Sequence, residues 1–167
     1  MGAARIGIIG SLVAGFLAFG MVAAMADTGA GQGQTPLSAS LGFVVNTNGI
    51  GNQLNYNSDP NGPYAGFNVH CDGYTKMAFG VTKPGFPIVR VTATCTDQNG
   101  TTVYLKASFV DEGEPGTNDR ICVEWAYQLP VGSNVYIHDM GTISSGNIQI
   151  HENNTDGTSD AQILSTQ

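Results

Sequence analysis

Residues 87–129, PIVRVTATCTDQNGTTVYLKASFVDEGEPGTNDRICVEWAYQL, hold three runs in which apolar side chains recur at every second position. Val89, Val91, Ala93 and Cys95 share one face of the first run, with Arg90, Thr92 and Thr94 on the other. Val103, Leu105, Ala107 and Phe109 line the second, and Ile121, Val123, Trp125, Tyr127 and Leu129 the third. A period of two is that of a half-buried strand, because successive side chains point to opposite faces of a sheet. Asp97-Gln98-Asn99-Gly100 between the first two runs is a hairpin signal, since Asn-Gly adopts the positive φ angles that tight turns between strands require. The acidic Pro/Gly segment 111–120 separates the second run from the third and is expected to be a solvated loop; its Asp111, Glu112, Glu114 and Asp119 offer oxygen ligands that a charged turn already explains.

The alternation extends in both directions. Leu41, Phe43 and Val45 follow it, as do Phe67, Val69 and Cys71; shorter strands are expected near residues 54–56 and 75–81. Toward the C-terminus, a hairpin symmetric about Ser144-Ser145 would place Val135 and Ile137 on the face of Ile148 and Ile150, and His138 directly opposite His151 on the polar face. Past residue 26 no segment carries a 3.6-residue apolar stripe. The spacing therefore predicts an all-β fold: a single antiparallel β-sandwich, Ig-like or jelly-roll-like, of about eight to ten strands over residues 37–167.

Two segments precede that domain. Residues 1–26 carry one early positive charge, Arg5, then an uncharged apolar run ending in Ala24-Met25-Ala26, the small-x-small pattern of a signal-peptidase site before Asp27. The same run is long enough to serve as an uncleaved membrane anchor, so the reading is signal peptide or N-terminal anchor, an apolar helix in either case. Residues 27–36, DTGAGQGQTP, lack apolar periodicity and are expected to be a flexible linker.

Composition narrows the function classes. Only 11% of the 167 residues are charged and 23 are glycine, which suits a turn-rich β protein outside the cell. A net charge of -7 with scattered Lys and Arg argues against nucleic acid as a partner. Membrane contact is expected only through an uncleaved N-terminal segment.

Three cysteines in an exported chain leave one without a partner in the same chain. Cys71 and Cys95 both fall on apolar faces and are the expected buried disulfide; Cys122 shares the polar face with Glu124 and is expected to be a free thiol or a link to another subunit. No neighbouring pattern marks it as a nucleophile. Glu152, Asn154, Asp156 and Asp160 fit positions 1, 3, 5 and 9 of a calcium loop, but Ile163 stands where a bidentate acid is needed, so calcium is expected to bind weakly at most and no other cofactor is indicated. Asn99 and Asn153 begin N-glycosylation sequons.

No phosphate loop, nucleophile elbow, zinc-protease motif or C-x-x-C occurs, so no enzymatic activity is expected. These features point to an exported structural or surface protein, extracellular or on the cell surface, that associates with itself or with other surface proteins as a subunit of a filament or similar assembly. Leu41, Phe43 and Val45 lie in a segment that either adds a strand to a neighbouring subunit or forms the first strand of its own sandwich. The alternative is a secreted monomeric module binding glycan or a small ligand through loop 46–66, whose Tyr56 and Tyr64 either stack on sugars or cap the core.

Overall fold

The computed structural model describes residues 27–151. Its strands are Thr28–Gln34 (β1), Ser40–Asn46 (β2), Gln53–Asn57 (β3), Asn68–Cys71 (β4), Lys76–Val81 (β5), Pro87–Asp97 (β6), Thr102–Val110 (β7), Arg120–Ala126 (β8), Ile137–Thr142 (β9) and Ser145–His151 (β10). Every pairing is antiparallel, in the order β10-β1-β2-β3-β4-β6-β7-β8-β9, with β5 also on β6. The all-β antiparallel expectation holds. What differs is continuity: this is one sheet curled over on itself, and its two halves face each other.

The inward side chains hold the curl closed. Phe43 of β2 stacks on Phe109 of β7 with ring centroids 3.8 Å apart, and Trp125 of β8 meets Tyr56 of β3 edge-on at 5.6 Å and Phe67 at 5.9 Å. Trp125, Tyr56, Phe109, Leu54 and Leu105 are essentially inaccessible, and burying a side chain of this size contributes roughly 1.5–3 kcal/mol. The three runs within 87–129 are β6, β7 and β8, paired in that order, with Val89, Val91, Leu105, Phe109, Val123 and Trp125 facing inward as their alternation implied. β8 stops at Ala126, however, so Tyr127 and Leu129 are exposed instead of continuing its apolar face. Between β6 and β7, the Asp97 carboxylate accepts from the Asn99 and Thr101 backbone N–H groups and fixes the hairpin turn.

The curl turns at β4, which joins β6 through only two residue pairs, Val69 with Asp97 and His70 with Thr96. The Cys71–Cys95 disulfide crosses at this corner, and both cysteines are buried, as their facing in the sequence implied. A bridge of this kind fits an oxidising, extracellular compartment. Closing a loop of 24 residues is worth about 3 kcal/mol in the chain-entropy account. Reduction, or the paired substitution of Cys71 and Cys95 by alanine, should therefore lower the unfolding free energy by that amount in urea titrations; an unchanged midpoint would show that the ladder alone holds the corner.

Three expectations need correction. Residues 28–34 are no linker. They form β1, paired residue for residue with β10 on one side and β2 on the other. Gly29, Gly31 and Gly33 take the inward positions, and a Cβ on Gly31 would sit 2.7 Å from the Phe43 ring and 3.0 Å from Ile148. Glycine lets the backbone lie against a core already filled from neighbouring strands. Second, Leu41, Phe43 and Val45 are buried in β2, the second strand and not the first, flanked on both sides within its own sheet by β1 and β3. Third, the hairpin about Ser144-Ser145 does not pair: β9 joins β8 and β10 joins β1, and Ile143-Ser144 carries the chain from one end of the sheet order to the other.

The segment 1–26, the calcium-like positions Glu152, Asn154, Asp156 and Asp160, and the sequon at Asn153 lie outside the described residues. Asn99 is exposed at the β6–β7 turn, where its side chain is accessible for modification.

Candidate functional site

The outer face of β7, β8 and β9 gathers the chemistry-bearing side chains. Cys122 and Glu124 alternate with Val123 and so project from the same face of β8. Register places Lys106, Glu124 and His138 in one row across the three strands, with Ser108, Cys122 and Met140 in the next. His138 Nε2 lies 3.7 Å from Cys122 Sγ and 3.9 Å from Glu124 Oε1, and Lys106 Nζ is 3.9 Å from Glu124 Oε2. A groove of about 450 Å³ runs alongside, lined by Met77, Arg90, Thr92, Lys106, Cys122 and Glu124 among others.

Cys122 is unbridged. Burial pushes its thiol pKa up, the Glu124 carboxylate adds to the rise, and Lys106 opposes it. Attack by sulfur needs the thiolate, so this environment does not activate Cys122 as a nucleophile. The same donor set of sulfur, imidazole and carboxylate is suited to holding a cation. His138 was expected opposite His151; the actual β8–β9 pairing sets it against Glu124, and His151 pairs with Thr28 instead. His70 lies elsewhere, held by Asn55 and Asp72 at 2.6 Å each.

The acidic segment 111–119 is a solvated loop only in part: Gly113, Glu114, Pro115, Thr117 and Asn118 are exposed, but two of its carboxylates turn inward. Asp119 is fully buried and Asp111 half-buried. One Asp119 oxygen accepts from the Glu112 N–H and the other from the Ile148 N–H at 2.7 Å, while Asp111 accepts from the Ile150 N–H at 3.0 Å. Ile148 and Ile150 belong to β10, whose only ladder partner among the described residues is β1. The two carboxylates thus occupy amide groups on the outer edge of a terminal strand, where another chain would otherwise pair. Glu114 takes the Asn147 and Gln149 side-chain amides, and Arg120 pairs with Glu112 across the base of the loop. Gly116, at φ 72°, has no room for a Cβ against Asn147.

A third feature is aromatic. Tyr64, Tyr127 and Tyr136 cluster beside Phe67, with Tyr136 5.3 Å from Tyr127 and 5.8 Å from Tyr64 between centroids, and Tyr127 and Tyr136 are substantially exposed. Tyr56, the other tyrosine expected at a ligand site, is buried and donates to Asp139 at 2.9 Å. Among the described residues no helix is long and apolar enough to cross a membrane. No family model, curated protein or solved structure matches this chain.

Proposed function

We propose that the chain is an exported structural protein, a subunit of a cell-surface assembly whose members exchange the strand β1. The supporting observation is the place of β1: the first strand of the described domain, seven residues long, is laddered on both sides between β2 and β10 and contributes almost no side chain to the core. The slot it occupies recognises backbone, so the same segment of another copy fits it equally well. The connection to β2 is a tight turn in which Thr35 N–H donates to Ala39 O and Ser38 is held at φ 60°. A short, strained hinge containing Pro36 favours the opened, exchanged form. Edge addition at β10 is opposed by Asp111 and Asp119, which leaves replacement of β1 as the better route.

The register supplies a test. Ala30 and Gln149 are opposed across β1 and β10, and both face outward. In a Cys122→Ser chain beginning at Asp27, the pair Ala30→Cys and Gln149→Cys should oxidise to a covalent ladder in assembled material, seen on a non-reducing gel. Assemblies that give only intrachain bridges, or a chain that stays monomeric by light scattering at high concentration, would sink the proposal.

The exposed tyrosines favour a second reading, a secreted monomeric module that binds glycan or a small ligand. Tyr127 and Tyr136 offer the aromatic faces on which sugar rings stack. A monodisperse monomer whose oligosaccharide binding is lost in Tyr136→Ala would establish that reading over the first.

A further inference from the structure

We propose that Cys122, Glu124 and His138 form a binding site for a zinc-class divalent cation on the outer face of β8 and β9. Their ligand atoms all lie within 4.8 Å of one another. A tetrahedral zinc with a bond of about 2.3 Å to sulfur and about 2.05 Å to nitrogen holds those two atoms about 3.6 Å apart; Cys122 Sγ and His138 Nε2 stand at 3.7 Å. The 3.9 Å between His138 Nε2 and Glu124 Oε1 closes to the required distance by small side-chain rotations. Thiolate with imidazole selects zinc-class metals over calcium or magnesium, which prefer oxygen donors throughout.

The site is built on rigid elements. β8 is laddered on both sides, by β7 and β9, so the Cα positions of Cys122, Glu124 and His138 are fixed by main-chain hydrogen bonds and not by a loop. Glu124 is only 18% exposed at its side chain, and its two oxygens divide the work: Oε1 faces His138 while Oε2 faces Lys106. Lys106, with a side chain 63% exposed, orients the carboxylate from the far side and is free to swing outward when a dication arrives. Three protein ligands leave a fourth position for water, the arrangement of a site that remains accessible from solvent. A bound metal also withdraws Cys122 from disulfide exchange, which gives the unbridged cysteine of an exported protein a protected state.

The site is independent of strand exchange, and its test does not require assembly. The untagged, metal-free chain with its disulfide intact should bind one Co²⁺ with a sulfur-to-cobalt charge-transfer band in the near ultraviolet and the visible bands of tetrahedral coordination, and Zn²⁺ should displace it. Cys122→Ser should abolish the charge-transfer band, and His138→Ala or Glu124→Gln should weaken binding by about a hundredfold or more, since even outer-shell changes cost up to that factor. His70→Ala and His151→Ala should leave binding unchanged, and circular dichroism should be the same for all five variants because every substituted side chain is on the outer surface. Absence of the charge-transfer band in the unsubstituted chain, or zinc binding that survives Cys122→Ser with His138→Ala, would overturn the assignment.

Discussion

Replacing Asp139 by alanine should lower the unfolding free energy by about 4 kcal/mol, since each of the two donors left without an acceptor costs about 1–3 kcal/mol. Asp139 is completely inaccessible on the inner face of β9. It accepts from the Leu37 N–H at 3.1 Å and the Tyr56 O–H at 2.9 Å, and so ties β9 to β3 and to the turn between β1 and β2. Burial, and the Asp139 carboxylate beside it, push the Tyr56 pKa well above the ordinary phenol range, so Tyr56 remains a donor at any pH the protein meets. Tyr56→Phe removes one of the two bonds and should cost less than Asp139→Ala. The double variant should fall short of the sum because the two share an interaction. Urea denaturation reads the effect as a lower midpoint at constant slope, and a loss under about 1 kcal/mol would show that Asp139 does not bind these strands together. The Leu37 bond also anchors the turn that the proposed exchange of β1 would open, so any assembly formed by Asp139→Ala should exchange subunits faster than one formed by the unsubstituted chain.

The legible and illegible parts of this fold separate on physical lines. β6, β7 and β8 were readable because Val, Leu, Phe and Trp mark one face by hydropathy, and the same alternation placed Cys71 and Cys95 inside together. β1 alternates just as strictly, yet its inward residues are Gly29, Gly31 and Gly33, and a face defined by missing side chains carries no hydropathy signal. Strands adjacent in sequence usually pair, and only the global closure of the sheet sends Ile143-Ser144 across from β9 to β10 instead. His138 therefore joined Cys122 and Glu124, a constellation that depends on which strand lies beside β8. The roles of the carboxylates in 111–119 are hidden in the sequence for a related reason. Local composition describes a turn, and the Glu112 and Gly113 amides within it are served too, but the β10 amides they also serve lie about thirty residues or more away.

Asp119→Ala should cost about 3–4 kcal/mol, because it strips the acceptor from two backbone amides, the Glu112 N–H and the buried Ile148 N–H. Hydrogen exchange should locate the damage, with the Ile148 amide losing protection first, while the amides of β6 and β7 weaken only as far as global stability falls. The pH dependence has a definite sign. Burial raises the Asp119 pKa, the hydrogen bonds from Glu112 and Ile148 act against that rise, and the charges of Asp111 and Glu114 reinforce it. On acidification the folded chain takes up this proton before the unfolded chain does, so the Asp119 contribution to stability grows as pH falls from the raised folded value toward the unfolded value of about 3.9, and is constant below it. Asp97 behaves in the opposite way. Burial pushes its pKa up, but hydrogen bonds from Thr101, Asn99 and Tyr127 outweigh that and lower it, so its contribution is present above the unfolded value and is lost as pH falls through the folded one. The two windows do not overlap. Asp119→Asn, which cannot titrate, should therefore show a stability deficit relative to the unsubstituted chain that widens between neutral pH and about 4, before the Asp97 loss sets in for both. A deficit that narrows over that range would mean the charged carboxylate, and not its burial, dominates at the β10 edge. In that case acid would uncap the strand, and mildly acidic conditions would promote pairing at β10 in preference to exchange of β1.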